Sequence, residues 1–271
     1  MQRRLLTALT ATALIAFGAL SALALPATAL AQAPDWKTIR IGVEGAYPPF
    51  SEVAPDGTLK GFDIDIAMAL CTQLKAQCKL VAQEWDGMIP ALQSRKFDAI
   101  IASMAATDER RKVVGFSHKY YNTPARLVAK AGAALTATPE GLKGKRIGVQ
   151  RSTIHDRFVT DTFKASEVVR YGKADEVYLD LVAGRIDAAM GDSVAISGGL
   201  LKKPQGKGFA FFGPEYNDEK YFGSGSSIAV RKADTALAER FNAAIKAIRA
   251  DGTYKKIQDR YFDFDVYGDT Q

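Results

Sequence analysis

From about position 39 onward, short runs of β-branched and aliphatic residues bounded by Gly, Asp or Pro alternate with stretches in which apolar residues return every three to four positions. The runs predict strands at 39–43, 80–83, 98–101, 146–149, 168–171, 187–190 and 227–231. The helical spacing predicts helices at 62–74, 87–94, 174–183, 194–201 and 233–250. Strands that alternate with helices favour parallel pairing through crossover connections, and so an α/β fold.

One internal echo sharpens this. Arg40-Ile41-Gly42-Val43 recurs as Arg146-Ile147-Gly148-Val149. Each copy is followed later by a helix that runs into an Asp-Ala strand: Phe97-Asp98-Ala99-Ile100 after the first, Ile186-Asp187-Ala188-Ala189 after the second. Two matched elements in the same order predict two related lobes. In open α/β sheets ligands sit beyond the carboxyl ends of the strands. The residues just past the four echoed strands are Glu44 with Tyr47, Ser103 with Ala105, Ser152 with Thr153, and Asp192. If the lobes face each other, these groups line one cleft that excludes water on closing.

The first 33 residues do not belong to this pattern. Basic Arg3 and Arg4 precede an Ala-rich apolar stretch to Leu25, then Pro26 and small residues ending Ala31-Gln32-Ala33. That is the layout of a cleavable secretory signal, with cleavage expected after Ala33; an uncleaved anchor is the alternative. Removing Arg3 and Arg4 takes the 36 basic residues to 34 against 30 acidic ones, a net charge of about +4. The charges are interspersed and carry no basic run, so nucleic acid is not an expected partner. No later stretch reads as a membrane span, and a soluble monomer is expected.

Export also bears on the two cysteines, Cys71 and Cys78. An oxidising compartment favours a disulfide, with two buried free thiols as the alternative. Neither H-E-x-x-H, an acidic calcium loop nor a P-loop occurs, so no metal site and no cofactor are expected.

The strand-end residues suit an amino acid, whose two opposite charges each need a partner if they are to be buried. In Thr107-Asp108-Glu109-Arg110, Thr107 reads as a helix N-cap. Arg110 then offers a guanidinium fork to a carboxylate, unless it merely pairs with its acidic neighbours. Thr153, ahead of a possible helix, offers a hydroxyl and an N–H to the same group. Asp192 either meets the ligand's ammonium or caps a helix. Glu44 leads into Tyr47-Pro48-Pro49-Phe50, where two prolines stiffen the loop. A carboxylate there, with Tyr47 and Trp85 as aromatic faces, suits a cationic side chain. Core packing is the competing reading for both aromatics and the accepted one for Phe50. Ser152, His155 and Ile154 are further possible contacts.

At these residues the chain resembles the bacterial extracellular solute-binding proteins of polar amino acid ABC importers, most closely the lysine/arginine/ornithine, histidine and opine binders. The signature stretch is Gly61-Phe62-Asp63-Ile64-Asp65-Ile66-Ala67-Met68-Ala69-Leu70-Cys71, supported by Glu44 to Phe50, Trp85 to Pro90, Thr107 to Arg110 and Asp251 to Tyr254. The resemblance implies a two-lobed periplasmic binding protein fold of type II, each lobe a mostly parallel sheet flanked by helices. It implies a first lobe of 34–123 with 225–271, a second of 124–224, and a two-strand hinge near 122–124 and 223–225. It also implies a Cys71–Cys78 disulfide, and roles for Arg110 and Thr153 on the ligand carboxylate, Asp192 on the ammonium, Glu44 on the distal charge, and Tyr47 and Trp85 around the aliphatic part. Ala102 and Ala105 stand where the lysine/arginine/ornithine type has serines, and Ile154 where it has glutamine.

The implied function is periplasmic capture of a cationic L-amino acid (arginine, ornithine or lysine, with histidine also in range) for an importer made of a membrane permease and an ATPase. An opine such as octopine or nopaline is the alternative ligand. An enzyme is not expected: Ser152, Thr153 and His155 lie close together but without a nucleophile elbow or an orienting third group. A cyclohexadienyl dehydratase on the same fold, with Glu44 as the acid, is the remaining catalytic alternative.

Overall fold

The computed structural model describes residues 35–268; the expected signal segment, 1–33, lies outside them. The chain enters a first sheet with β1 (Thr38–Val43) and makes a small three-stranded sheet from β2 (Ala46–Tyr47), β3 (Ser51–Val53) and β4 (Leu59–Lys60). It continues through α1 (Phe62–Gln73), β5 (Gln77–Ala82), a 3-10 turn at Trp85–Gly87, α2 (Met88–Gln93), β6 (Ala99–Ile100), α3 (Asp108–Arg111) and β7 (Val114–Tyr121). After Asn122-Thr123-Pro124 it builds a second sheet. That part comprises β8 (Ala125–Lys130), β9 (Arg146–Gln150), α4 (Ile154–Thr162), β10 (Glu167–Tyr171), α5 (Ala174–Val182), β11 (Ala188–Asp192), α6 (Ser193–Ile196), β12 (Phe209–Tyr216) and α7 (Glu219–Phe222). The chain then returns to the first sheet as β13 (Ser226–Arg231) and closes with α8 (Thr235–Ala250) and α9 (Thr253–Gln258).

The sheets run β5-β1-β6-β13-β7 and β10-β9-β11-β8-β12. In each, two pairings are parallel and two antiparallel, so the sheets are mixed rather than mostly parallel. The antiparallel strands are those by which the chain passes between lobes. A strand entered directly from the other lobe needs no crossover helix, so the rule that makes the echoed strands parallel does not bind it.

The repeated tetrapeptide has the same job in both lobes. Arg40 donates to Asp98 through its backbone N–H (3.1 Å), Nε (3.0 Å) and Nη2 (2.8 Å). Arg146 does the same to Asp187 at 2.8, 3.2 and 3.2 Å. Each Arg-Asp clamp ties the strand that carries the tetrapeptide, β1 or β9, to the strand beside it, β6 or β11. The glycine between them is needed for close packing: a Cβ at Gly42 would lie 2.6 Å from the Phe97 ring, and one at Gly148 2.4 Å from Ile186. Arg40-x-Gly42 with Phe97-Asp98 and Arg146-x-Gly148 with Ile186-Asp187 are thus one packing solution used twice.

A disulfide joins Cys71 on α1 to Cys78 on β5, stapling the helix to the edge strand. The first lobe's core is aromatic around Phe50, which is fully buried and stacks on Tyr121 at 4.5 Å. Among the described residues no helix is long and apolar enough to cross a membrane, and no group of His, Cys, Asp and Glu is arranged to hold a metal.

Candidate functional site: the cleft between the lobes

A small cleft opens between the carboxyl ends of the two sheets' strands. The first lobe lines it with Glu44, Tyr47, Trp85, Ala102, Ser103 and Arg110. The second contributes Gln150, Thr153, Ile154 and His155.

Arg110 sits on the single turn of α3, where Thr107 accepts its backbone N–H at 3.3 Å as the N-cap. The guanidinium turns away from its acidic neighbours. It donates to the carbonyl of Ala105 (3.1 Å) and across the cleft to the carbonyl of Ser152 (3.4 Å), and lies 5.1 Å over the Trp85 ring. Burial lowers its pKa to about 10, so it stays charged at neutral pH. Glu109 pairs with Arg157 of the second lobe at 2.8 Å instead.

Glu44 follows β1 and accepts from Gln150 Nε2 at 2.6 Å. Burial pushes its carboxyl up to about 7; the Gln150 hydrogen bond opposes that, while nearby Asp175 and Asp86 add to it. Tyr47 stacks on Phe50 at 6.0 Å. Trp85 donates Nε1–H across the cleft to the Ser152 carbonyl at 3.2 Å.

Ser103 takes a left-handed backbone, φ 56°, unusual for a non-glycine residue and held here by neighbours. Its N–H donates to the Tyr120 hydroxyl at 3.0 Å and its Oγ to Asp63 at 2.9 Å. Tyr120 in turn donates to Asp63 at 2.9 Å. Asp63 is the first aspartate of the signature stretch, so the signature acts here as the buttress of a cleft loop. Burial raises Asp63 to about 7 against these hydrogen bonds.

On the far wall Thr153 caps α4, accepting from Asp156 N–H at 3.1 Å while donating to the Gln150 carbonyl at 2.7 Å. His155, in the first turn, is lowered to about 3 by burial and by the facing Arg110, so it stands neutral. Ile154 supplies an apolar surface.

Three expected residues stand outside the lining. Ala105 and Ser152 act through backbone carbonyls that hold Arg110 and Trp85. Asp192 ends β11 and caps α6: its Oδ1 accepts from Val194 and Ala195 N–H at 2.9 Å each, and its Oδ2 from the Thr123 hydroxyl. Burial raises it to about 6 despite these donors. Gln150 is the one polar lining side chain that sequence reasoning did not name. It ends β9 and stands directly after the predicted strand at 146–149, so the strand-end rule applied from the first position past that strand would have included it.

Comparison with known proteins identifies the family. The model of the bacterial extracellular solute-binding proteins, family 3, matches residues 39–264. The chain is 55% identical to an L-arginine-binding protein of Pseudomonas aeruginosa, over 92% of this chain and 97% of that protein. It is 42% identical to the lysine/arginine/ornithine-binding periplasmic protein of Escherichia coli, over 94% and 98%. Among solved structures, a periplasmic binding protein of Salmonella typhimurium described as having high arginine specificity superposes with a TM-score of 0.77 at 35% identity, covering 83% of this chain and 99% of that one. An ancestral arginine-binding protein bound to arginine gives the same TM-score and identity, covering 83% and 98%. These relatives are solute-binding proteins and not enzymes. The chain belongs to the bacterial extracellular solute-binding proteins, family 3.

Proposed function

We propose that this protein binds a cationic L-amino acid, arginine foremost, in the cleft between its lobes and delivers it to the permease and ATPase of an ABC importer from the periplasm. The observation that carries this reading is the charge layout of the cleft. A guanidinium, Arg110, and a partly buried carboxylate, Glu44, share one small pocket with the aromatic faces of Tyr47 and Trp85. Arg110 and Thr153 take the ligand carboxylate. Glu44 takes the distal cation, whose aliphatic stem lies against the two aromatics. Asp192 takes the ammonium: three of its acceptor positions are used by Val194, Ala195 and Thr123, which leaves one for the ligand. The names of the relatives, arginine-binding and lysine/arginine/ornithine-binding, support the same class.

In this reading residues 34–123 with 225–271 form one closing lobe and 124–224 the other, hinged at 122–124 and 223–225. Residues 1–33 are the signal that exports the chain. A ligand that touches both walls favours the closed form, since only that form makes both sets of contacts. The test is a thermal-shift screen of refolded, ligand-stripped mature protein against the amino acids, citrulline, ornithine, octopine and nopaline. Stabilisation by arginine, ornithine or lysine supports the reading. A response confined to opines or to neutral amino acids overturns the ligand class.

A further inference from the structure

We propose that Gln150 is a specificity-determining residue of this cleft: reaching from the second lobe, its side-chain amide orients Glu44 and keeps it an anion in the closed form, so that the cleft selects a cationic ligand end. This rests on the reading of Glu44 as the partner of that end.

The geometry fixes what Gln150 can offer. It is 6% exposed, and Nε2 donates both to Glu44 Oε1 at 2.6 Å and to the Gly172 carbonyl at 3.2 Å. Each of its two amide hydrogens thus has an acceptor. Flipping the amide would set its oxygen against a carbonyl and a carboxylate, three acceptors with no hydrogen between them. Gly172 therefore locks Gln150 as a donor toward Glu44. Because Glu44 follows β1 and Gln150 ends β9, the bond forms only when the lobes meet.

Little else near Glu44 favours its anion. Asp86 on the 3-10 turn and Asp175 on α5 oppose it, and Lys173, which favours it, is itself 3.7 Å from Glu84. The phenols of Tyr47 and Tyr178 are held neutral by burial, and buried Asp63 is pushed upward, partly by Glu44 itself. Gln150 is the largest influence holding Glu44 down against burial. Its hydrogen bond engages one oxygen of the carboxylate and leaves the other for the ligand. Without Gln150, Glu44 keeps its proton to higher pH and the cation loses its partner, while a neutral ligand of the same shape loses nothing.

The test is calorimetric titration of arginine and of its neutral isostere citrulline into refolded, ligand-stripped wild type, Gln150→Leu and Gln150→Met. The two apolar variants guard against a folding failure in either one. Since a hydrogen bond to a charged group is at stake, the arginine dissociation constant should rise about tenfold at pH about 6.5 and recover toward wild type at pH about 8.5. Citrulline binding should be unchanged or tighter at both. An equal, pH-independent loss for both ligands makes Gln150 a mere contact between lobes and overturns the proposal, as does an unchanged arginine profile. Wild type that binds neither ligand overturns the functional reading beneath it, a result visible before any variant is made.

Discussion

Every ion pair that crosses between the lobes among the described residues has the same polarity. Glu84, Asp86 and Glu109 on the first lobe meet Lys173, Arg151 and Arg157 on the second. The Glu109–Arg157 pair spans 2.8 Å with side chains 68% and 41% exposed, and Glu84–Lys173 spans 3.7 Å at 74% and 44%. These pairs exist only with the lobes together, so they hold the closed form without touching the ligand. Exposed pairs of this kind each change an equilibrium by roughly two- to five-fold. Glu84→Gln with Glu109→Gln should therefore weaken binding by about five- to tenfold. The loss should appear in the dissociation rate, because the opened protein lacks both contacts. It should be the same for cationic and neutral ligands, unlike any change at Glu44. Stopped-flow dissociation at ionic strengths from about 0.05 M to about 0.5 M provides the assay, since the Debye length shrinks several-fold over that range. Wild type should release ligand faster as salt rises, and the double variant should respond less. Equal salt dependence in both proteins would refute a role for these pairs in closure.

Other substitutions separate the parts of the site. Arg110→Ala should raise the dissociation constant of every ligand by about 100-fold or more in calorimetry, because it leaves the ligand carboxylate buried without a partner. Arginine affinity within a few-fold of wild type would contradict that role. Glu44→Gln retains an oxygen to accept from Gln150, so the lobe contact survives. Arginine should lose about ten- to 100-fold, and citrulline nothing. In wild type, Glu44 ionises near pH 7, above the ordinary carboxylate range. Arginine binding should therefore strengthen as pH rises through about 7, and the variant should lose that dependence. Replacing Cys71 and Cys78 by serine opens a link of sequence separation 7 and should cost about 2.5 kcal/mol on the chain-entropy account. A drop in melting temperature of about 5–10 °C would match it, and an unchanged melt would place the stability of α1 against β5 elsewhere.

The strand at 146–149 was legible because consecutive apolar residues mark a strand covered on both faces, and β9 is buried from Ile147 onward. The echo of Arg40 in Arg146 carried more than its length suggests, since it encodes the Arg-Asp clamp and the tight Gly42 and Gly148 packing. Strands β7, β8 and β12 were not legible individually. β12 carries Gly213 and Pro214 within it and shifts register between Phe212 and Tyr216, so a run that reads as a turn is a strand with an irregularity. β8 starts directly after Pro124, a segment that the sequence reading took as a hinge and not as the start of a strand. The helix expected over 194–201 is one α-turn followed by a π-turn at Ser197–Leu201, the segment that holds Gly198 and Gly199.

Residue types suggested the cleft because strand ends converge there. They could not reveal that Ala105 and Ser152 act through carbonyl oxygens, which every residue has. Nor could they decide between capping and ligand binding for Asp192, whose carboxylate is engaged by Val194, Ala195 and Thr123. Gln150 was hidden for a different reason: its significance lies in what it meets across the cleft, on a segment 106 positions away.

The central claim is that the cleft reads a positive charge at the far end of an amino acid. Arginine and citrulline differ there by one charge at nearly constant shape, so calorimetric titration of both into the ligand-stripped wild type at pH about 8 isolates that charge. The account predicts an arginine dissociation constant near or below about 1 μM, with citrulline weaker by about 100-fold or more. Equal affinities, or tighter binding of citrulline, would contradict it.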